Sequence, residues 1–412
     1  MPSREFTKLL DECRKLFFYG SEIDSRLIEM IILPYVTLQW KQIPVWLRII
    51  APPACGKSIH MSLLEDYKAT YSIDSFTSKS FISGFRGNNE DPSQLPLMDK
   101  KVLLISDEST IMEQRKEERD LIQAILRKAY DGKVTKAFGN LKNKVQHDAT
   151  FNILVASTPI IDRYYLYNQA LGERFINFRL QIPDKIAITT RAMHNQAKGF
   201  KKRHKRLSKR VEQYVTKISK SKFSDIRVSR KHSTLLVECA TFIALIRTHV
   251  CRDGSGRYIT ILPQAEVASR LVQQMMQVAV GNAVIRGDVS IGKPQIELAI
   301  YTALCSAPSL TVYVLNILWT TTKKRGTKWH TIKDLMAATH LGQLSTKNVI
   351  EDLCIHRVMR MKSAKSQGGR LIQYAFTEYG LDVIESTDLF KNYSHGMNPP
   401  IKKRSKERRR HG

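Results

Sequence analysis

The sequence is poor in acid. Its 412 residues hold 38 Asp and Glu against 66 Lys and Arg, a net charge of +28. Such an excess argues for a polyanionic partner, with nucleic acid ahead of an acidic membrane surface. No uninterrupted apolar run is long enough to span a bilayer, so no membrane segment is expected. The first residues, Met1-Pro2-Ser3-Arg4-Glu5-Phe6, lack the apolar core and small-residue cleavage site of a secretory signal. Cys13, Cys55, Cys239, Cys251, Cys305 and Cys354 form no Cys-x-x-Cys pair and no His/Cys cluster. Zinc is therefore not expected, and a reduced, cytoplasmic setting is. No internal repeat is visible. The 42% hydrophobic content is enough, at this length, for two or three domains with real cores.

One further absence is local. The stretch Ala51-Pro52-Pro53-Ala54-Cys55-Gly56-Lys57-Ser58 reads as a phosphate-binding loop whose first glycine is replaced by Ala51. Backbone N–H groups of such a loop cradle phosphate oxygens, and the helix that follows adds its positive end. Gly56 lets the backbone approach the phosphates where a Cβ would intrude. Lys57 is placed to reach the β- and γ-phosphates of ATP, and the Ser58 hydroxyl to hold Mg²⁺. The apolar run 43–50 reads as the strand feeding the loop, and 59–67 as the helix behind it.

A second apolar run, Val102 to Ile105, ends in Ser106-Asp107-Glu108. Asp107 is expected to reach the metal directly or through water, and Glu108 to orient and deprotonate the attacking water. Alone, the two acids would read as solvated residues leaving a buried strand; it is their pairing with the loop that points to hydrolysis. A third buried run, 151–158, ends in Ser157-Thr158-Pro159, whose hydroxyls suit a γ-phosphate or the attacking water. Beyond it, Leu171-Gly172-Glu173-Arg174-Phe175 offers an arginine as a finger into a neighbouring subunit's site. The alternative for Arg174 is a structural salt bridge with Glu173 or another acid.

In this order the elements resemble AAA+ ATPases, of the branch that holds minichromosome-maintenance-type helicases and related phage and plasmid ATPases. The resemblance covers roughly residues 45 to 300. It rests on the phosphate loop, Asp107-Glu108, Ala156-Ser157-Thr158-Pro159, Gly172-Glu173-Arg174-Phe175, and a lid-like helix beginning Glu266-Val267-Ala268-Ser269-Arg270. It implies a P-loop α/β fold with a parallel sheet flanked by helices and an α-helical lid. It implies ATP and Mg²⁺ as ligands, DNA as partner, and a homo-oligomeric ring, a hexamer by expectation. By the same match Arg270 takes a sensor position that touches the γ-phosphate from the lid, with an exposed helix arginine as the alternative. Thr158 departs from the asparagine usual there.

Between the acidic pair and the third strand, Asp131-Gly132 and Gly139-Asn140 mark turns around short β-favouring segments, so a hairpin is expected. The resemblance points such a hairpin into a central channel, with Lys133, Lys136, Lys142 and Lys144 on DNA phosphates. Residues 308–387 change pattern to helix, helix-turn-helix and a basic hairpin, and resemble a winged-helix domain. Ser345 is read as the cap of the helix after the turn. In that resemblance Ser345, Thr346, Lys347 and Asn348 face base edges, and Lys362, Lys365 and Arg370 contact phosphates. Protein docking is the alternative role for such a module.

The expected organisation is an N-terminal helical segment (1–40), an ATPase core (41–184), an exposed basic connector (185–228), a helical lid (229–307), the C-terminal module (308–387) and a disordered basic tail (388–412). Two functions fit. One is an ATP-driven DNA helicase or translocase in replication, of a mobile element by the resemblance. The other is an ATP-switched DNA-binding initiator, loader or regulator without unwinding activity.

Overall fold

The apolar runs around the phosphate loop form parallel strands because both of their faces are covered. In the computed structural model, which describes residues 2–85, 91–139, 141–164, 173–197, 199–326, 328–366 and 369–393, these runs become β1 (Trp46–Ile50), β3 (Val102–Ile105) and β6 (Asn152–Ser157), buried along their whole length. With β2 (Thr70–Ser72) and β7 (Phe175–Arg179) they make a five-stranded sheet, ordered β2-β3-β6-β1-β7 and parallel at every pairing. The strand that feeds the loop is therefore an interior strand, and β6 alone separates it from the acidic strand. Between β3 and β6, β4 (Lys133–Lys136) and β5 (Val145–Asp148) pair as a separate antiparallel hairpin.

Alternation along the strands gives the sheet a main core on each face. Trp46, Leu103, Ile105, Ile153 and Val155 pack with Ile122, Ile125 and Leu126 of α7 (Lys116–Tyr130). Leu47, Ile49, Leu104, Leu154 and Phe178 face a larger cluster that continues into helices at both ends of the chain. Those helices include α1 (Arg4–Leu16), α3 (Leu27–Thr37) and α11 (Ser269–Arg286). Arg26, beside the short α2 (Glu22–Ser25), donates to Glu29 and to Asn282, and Arg286 pairs with the other Glu29 oxygen at 3.0 Å. The N-terminal segment is thus bolted to the lid-like helix by a buried charge network as well as by apolar contact. Gly281 marks the closest approach: a Cβ there would lie 2.3 Å from Leu33 Cδ1. Gly281→Ala is expected to overpack this seam at a cost of about 1–3 kcal/mol, despite alanine's better helix propensity, and to lower the thermal midpoint. An unchanged or raised midpoint would show that the seam yields.

Residues 185–228 differ from the exposed connector expected above. They fold as α8 (Lys185–Ala197) and α9 (Phe200–Ile218), with Leu207, Val211, Tyr214 and Val215 buried in the larger core. The lysines and arginines between them make the outer face, so charge density hides an apolar stripe at helical spacing. The helix behind the phosphate loop is also shorter than expected: α4 spans Lys57–Met61 and tightens into a 3₁₀ turn at Ser62–Leu64. The remaining short helices of the sheet domain are α5 (Ser78–Phe81) and α6 (Ser109–Met112).

Beyond α9 come α10 (Arg230–Ile246), α11 and α12 (Lys293–Cys305). The C-terminal module then runs α13 (Ser309–Arg325), β8 (His330–Thr331), α14 (Ile332–Thr339), α15 (Gln343–Ile355), β9 (Met359–Ser366), β10 (Gly369–Phe376) and α16 (Glu378–Ser386). Its three strands are ordered β8-β10-β9. α15 starts one residue after Gly342, so Ser345 lies inside the helix and does not cap it. The expected tail also begins later than 388, because Leu389 and Phe390 are buried; residues 394–412 lie outside the described residues. Among the described residues no helix is long and apolar enough to cross a membrane.

Candidate nucleotide site and nucleic-acid surfaces

The loop after β1 takes the shape its residues dictate. Ala54 and Gly56 both adopt left-handed backbone, φ +61° and +81°, turns that aim successive N–H groups into one concavity. Gly56 suits that conformation; Ala54 carries its strain. The Lys57 amine is buried and donates to the carbonyls of Ala51 (2.7 Å) and Pro52 (3.0 Å). Burial pushes its pKa down from the usual lysine value. A cation held over its own loop by carbonyls alone has a ready exchange for phosphate oxygens, which are stronger acceptors.

The tips of neighbouring strands converge here. Ala51 N–H donates to Ser157 O at 3.2 Å, which sets Thr158, the residue after β6, beside the loop. The Ser58 hydroxyl donates to Ser106 O at 3.1 Å, one residue before the exposed Asp107. Ser58 and Asp107 supply oxygen donors alone, the set a hard cation such as Mg²⁺ takes, and would hold it here. The turn after edge strand β2 adds an acid that sequence reasoning missed: Asp74 Oδ1 accepts from the Ser106 hydroxyl at 3.2 Å.

Glu108 departs from expectation. Rather than standing open to a water, its carboxylate is buried, and both oxygens are taken by Arg48 of β1, at 2.8 Å from Nε and 2.9 Å from Nη2. The guanidinium also donates to Asn177 Oδ1 (3.3 Å) and lies 4.2 Å from the centre of the Phe175 ring. Desolvation opposes the Arg48 charge, and Glu108, with Glu173 and Asp162 beside it, more than restores it, leaving the pKa raised.

The two arginines assigned to phosphate chemistry are neighbours. Arg174 and Arg270 approach the Tyr130 ring at 5.8 and 5.9 Å. Arg270 Nη1 donates to Glu173 O at 3.3 Å, and Gln274 of the same helix donates to Arg174 O at 2.7 Å. Burial and the adjacent Arg270 push the Arg174 pKa down. The Glu173 carboxylate instead accepts the backbone N–H groups of Arg174 and Phe175. β7 runs parallel to β1 with Phe175 opposite Trp46 and Arg179 opposite Ile50. Arg174 thus lies at the edge where strands begin, and the loop at the edge where they end. Gly172 lies outside the described residues.

A cavity of about 750 Å³ adjoins Ala54, Cys55 and Gly56. Phe17, Ile59, His60, Ile188, Asn195 and Phe200 line it, much of the wall coming from α8 and α9. His60 donates from Nδ1 to Gly56 O at 2.7 Å, and its Nε2 faces the Tyr19 hydroxyl at 3.2 Å. Burial pushes its pKa down to about 4, which leaves a neutral ring 3.8 Å from that of Phe17. The apolar spacing beneath the basic run was the only sequence signal for this wall.

On the β4–β5 hairpin Lys133, Lys142 and Lys144 are exposed, and Lys136 is half-buried with its ammonium 5.2 Å from the Phe138 ring centre. On the hairpin of the C-terminal module Lys362, Lys365 and Arg370 are exposed. The start of α15 is placed differently from the base-reading helix expected. Thr346 is fully buried, with its hydroxyl donating to Gly342 O. Asn348 donates to Gly256 O at 3.1 Å, in the loop between α10 and α11, and Lys347 lies 3.5 Å from Glu351. Ser345 remains exposed.

No family model matches this chain, and neither does any curated protein. Among solved structures it is similar to a full-length MCM homolog from Methanopyrus kandleri, at 14% identity and TM-score 0.43 over 74% of this chain and 61% of that one. The match thus spans less than two thirds of that protein. It is also similar to the Aeropyrum pernix ORC1 protein in complex with DNA, at 12% identity and TM-score 0.24 over 95% and 93% of the two chains. At these values neither likeness carries a functional assignment.

Proposed function

We propose that this chain is a P-loop ATP hydrolase of the AAA+ kind that acts on DNA in replication as a head-to-tail ring. The observation that carries the reading is the convergence of three separate segments on one concavity. They are the loop with its buried Lys57 amine and with Ser58 hydrogen-bonded to the β3 tip, that tip with its exposed Asp107, and the β6 tip at Ser157-Thr158. Loop N–H groups and Lys57 bind the phosphates; Ser58 and Asp107 hold the cation, which neutralises developing charge. The aromatic cavity beside the loop suits a flat purine. Glu108 polarises the attacking water once an oxygen is released from Arg48, and Thr158 fixes the γ-phosphate end. Arg174 and Arg270 serve the next subunit's site. Excess positive charge and the hairpin lysines supply the DNA contacts.

Lys57→Ala is expected to abolish binding of a fluorescent ATP analogue without loss of fold. Retained micromolar binding would reject the loop as the nucleotide site. One observation favours the second reading, an ATP-controlled switch: the bidentate hold of Arg48 on Glu108 suits a slow, gated hydrolysis. Turnover stimulated by DNA, together with unwinding of a forked duplex, selects the motor. Site-selective DNA binding without unwinding selects the switch.

A further inference from the structure

We propose that the C-terminal module grips nucleic-acid phosphates through the outer face of its β8-β10-β9 sheet, with Trp329 holding Arg360 and Lys362, and not through the start of α15. The inference rests on the DNA-partner reading above and names the surface that reading would use.

Two sets of contacts support it. The first covers one side of the helix start, at Thr346 and Asn348, and leaves Ser345 and Lys347 exposed. Arg252, in the loop that follows α10, donates to Asn348 O at 3.5 Å and pairs with Asp352 at 2.5 Å. Gly256 O accepts from the Asn348 amide, and His356 donates to Thr248 O at 3.2 Å. The loop is itself braced by Asp253, which accepts from the backbone N–H groups of Arg257 and Tyr258. A groove edge cannot reach Thr346 or Asn348 past these contacts.

The second set opens the sheet. Arg360 and Lys362 alternate along β9 and so share one face. Arg360 lies opposite Ala375 and Lys362 opposite Gln373, while β10 places Tyr374 opposite His330. Trp329, one residue earlier, then stands across Ala375 on the same side. Lys362 Nζ is 4.0 Å and Arg360 Cζ 5.4 Å from the centre of its ring. The three strands carry no acidic residue. Asp334, in the first turn of α14, spends its carboxylate on the N–H and hydroxyl of Thr331. Among the described residues neither Arg360 nor Lys362 forms an ion pair, and both are exposed. Two cations ordered on an indole, without an acid to neutralise them, present a phosphate site whose side-chain entropy is already spent.

The test measures binding of the full chain to a fluorescein-labelled duplex of mixed sequence over a salt series. Arg360→Ala with Lys362→Ala is expected to weaken binding on every sequence tried. The slope of log K against log salt should shrink by about 1.8, two phosphates' worth. Trp329→Ala should weaken binding several-fold with the slope kept, because the charges remain. Lys347→Ala and Asn348→Ala should leave both unchanged. Wild-type affinity and slope in the Arg360/Lys362 double variant, or their loss in Lys347→Ala instead, would overturn the proposal and leave the DNA-partner reading standing. A wild-type chain that binds no duplex at low salt would overturn both, with ATP turnover still free to test the nucleotide site.

Discussion

Mixing a Lys57→Ala chain with an Arg174→Ala chain should restore ATP turnover that neither shows alone. The geometry leaves an arginine finger no way to act within its own subunit. Arg174 precedes β7 while the loop follows β1, and the two strands run parallel in register. A five-residue strand separates their edges by roughly 17 Å, far beyond an arginine's reach. Arg270 stands with Arg174 around Tyr130, not with Lys57. Burial and the Arg270 charge beside it disfavour the Arg174 guanidinium, which an anion such as a neighbour's triphosphate would favour again. A repeated head-to-tail contact of this kind closes a ring or grows a filament. Arg174→Ala alone is expected to keep nucleotide binding and lose turnover by about 10³-fold or more. Lys57→Ala alone should lose both. In the mixture, an intact loop meets an intact finger at some interfaces, so activity returns with a mixing-ratio optimum. Full turnover by Arg174→Ala, or by an isolated monomer, would reject the shared site.

Much of the sheet was legible because parallel strands buried on both faces read as continuous apolar runs. The residues that follow those runs, Ser58 across its loop and Asp107 and Thr158 directly, met at one edge for the same reason. The β4–β5 hairpin was legible through Asp131-Gly132, where Gly132 takes φ +84°. What escaped reading were pairings between distant segments. Arg48 looks like a stray charge inside an apolar strand, and nothing local says that its partner is Glu108. The proximity of Arg174 and Arg270 depends on how α11 lies across the start of β7. The α9 stripe was hidden by the lysines that alternate with it, and with it the wall of the cavity beside the loop. The covering of Asn348 on α15 depends on a loop between α10 and α11 that has no pattern of its own to read.

Arg48→Ala should cost about 3–5 kcal/mol of stability, among the largest losses open to a single substitution here. The residue is 2% exposed and its partner 4%, so removing the cation strands a carboxylate in a poorly solvated site. The remaining partners do not compensate. Asn177 offers an amide that already donates to Cys305 O at 3.4 Å, and Phe175 presents a ring face, which repels an anion. Denaturant unfolding of four chains isolates the effect: wild type, Arg48→Met, Glu108→Gln and the double variant. Arg48→Met alone should fall furthest, because the charge it leaves is the more costly orphan. The double variant should recover most of the loss, since a neutral amide beside a thioether needs no counter-charge. Additive losses would mean that the two groups do not act as a pair. The same four chains separate stability from chemistry. If Glu108 polarises water only when released, Glu108→Gln binds nucleotide yet turns over none, and the double variant, though it folds well again, stays equally inert.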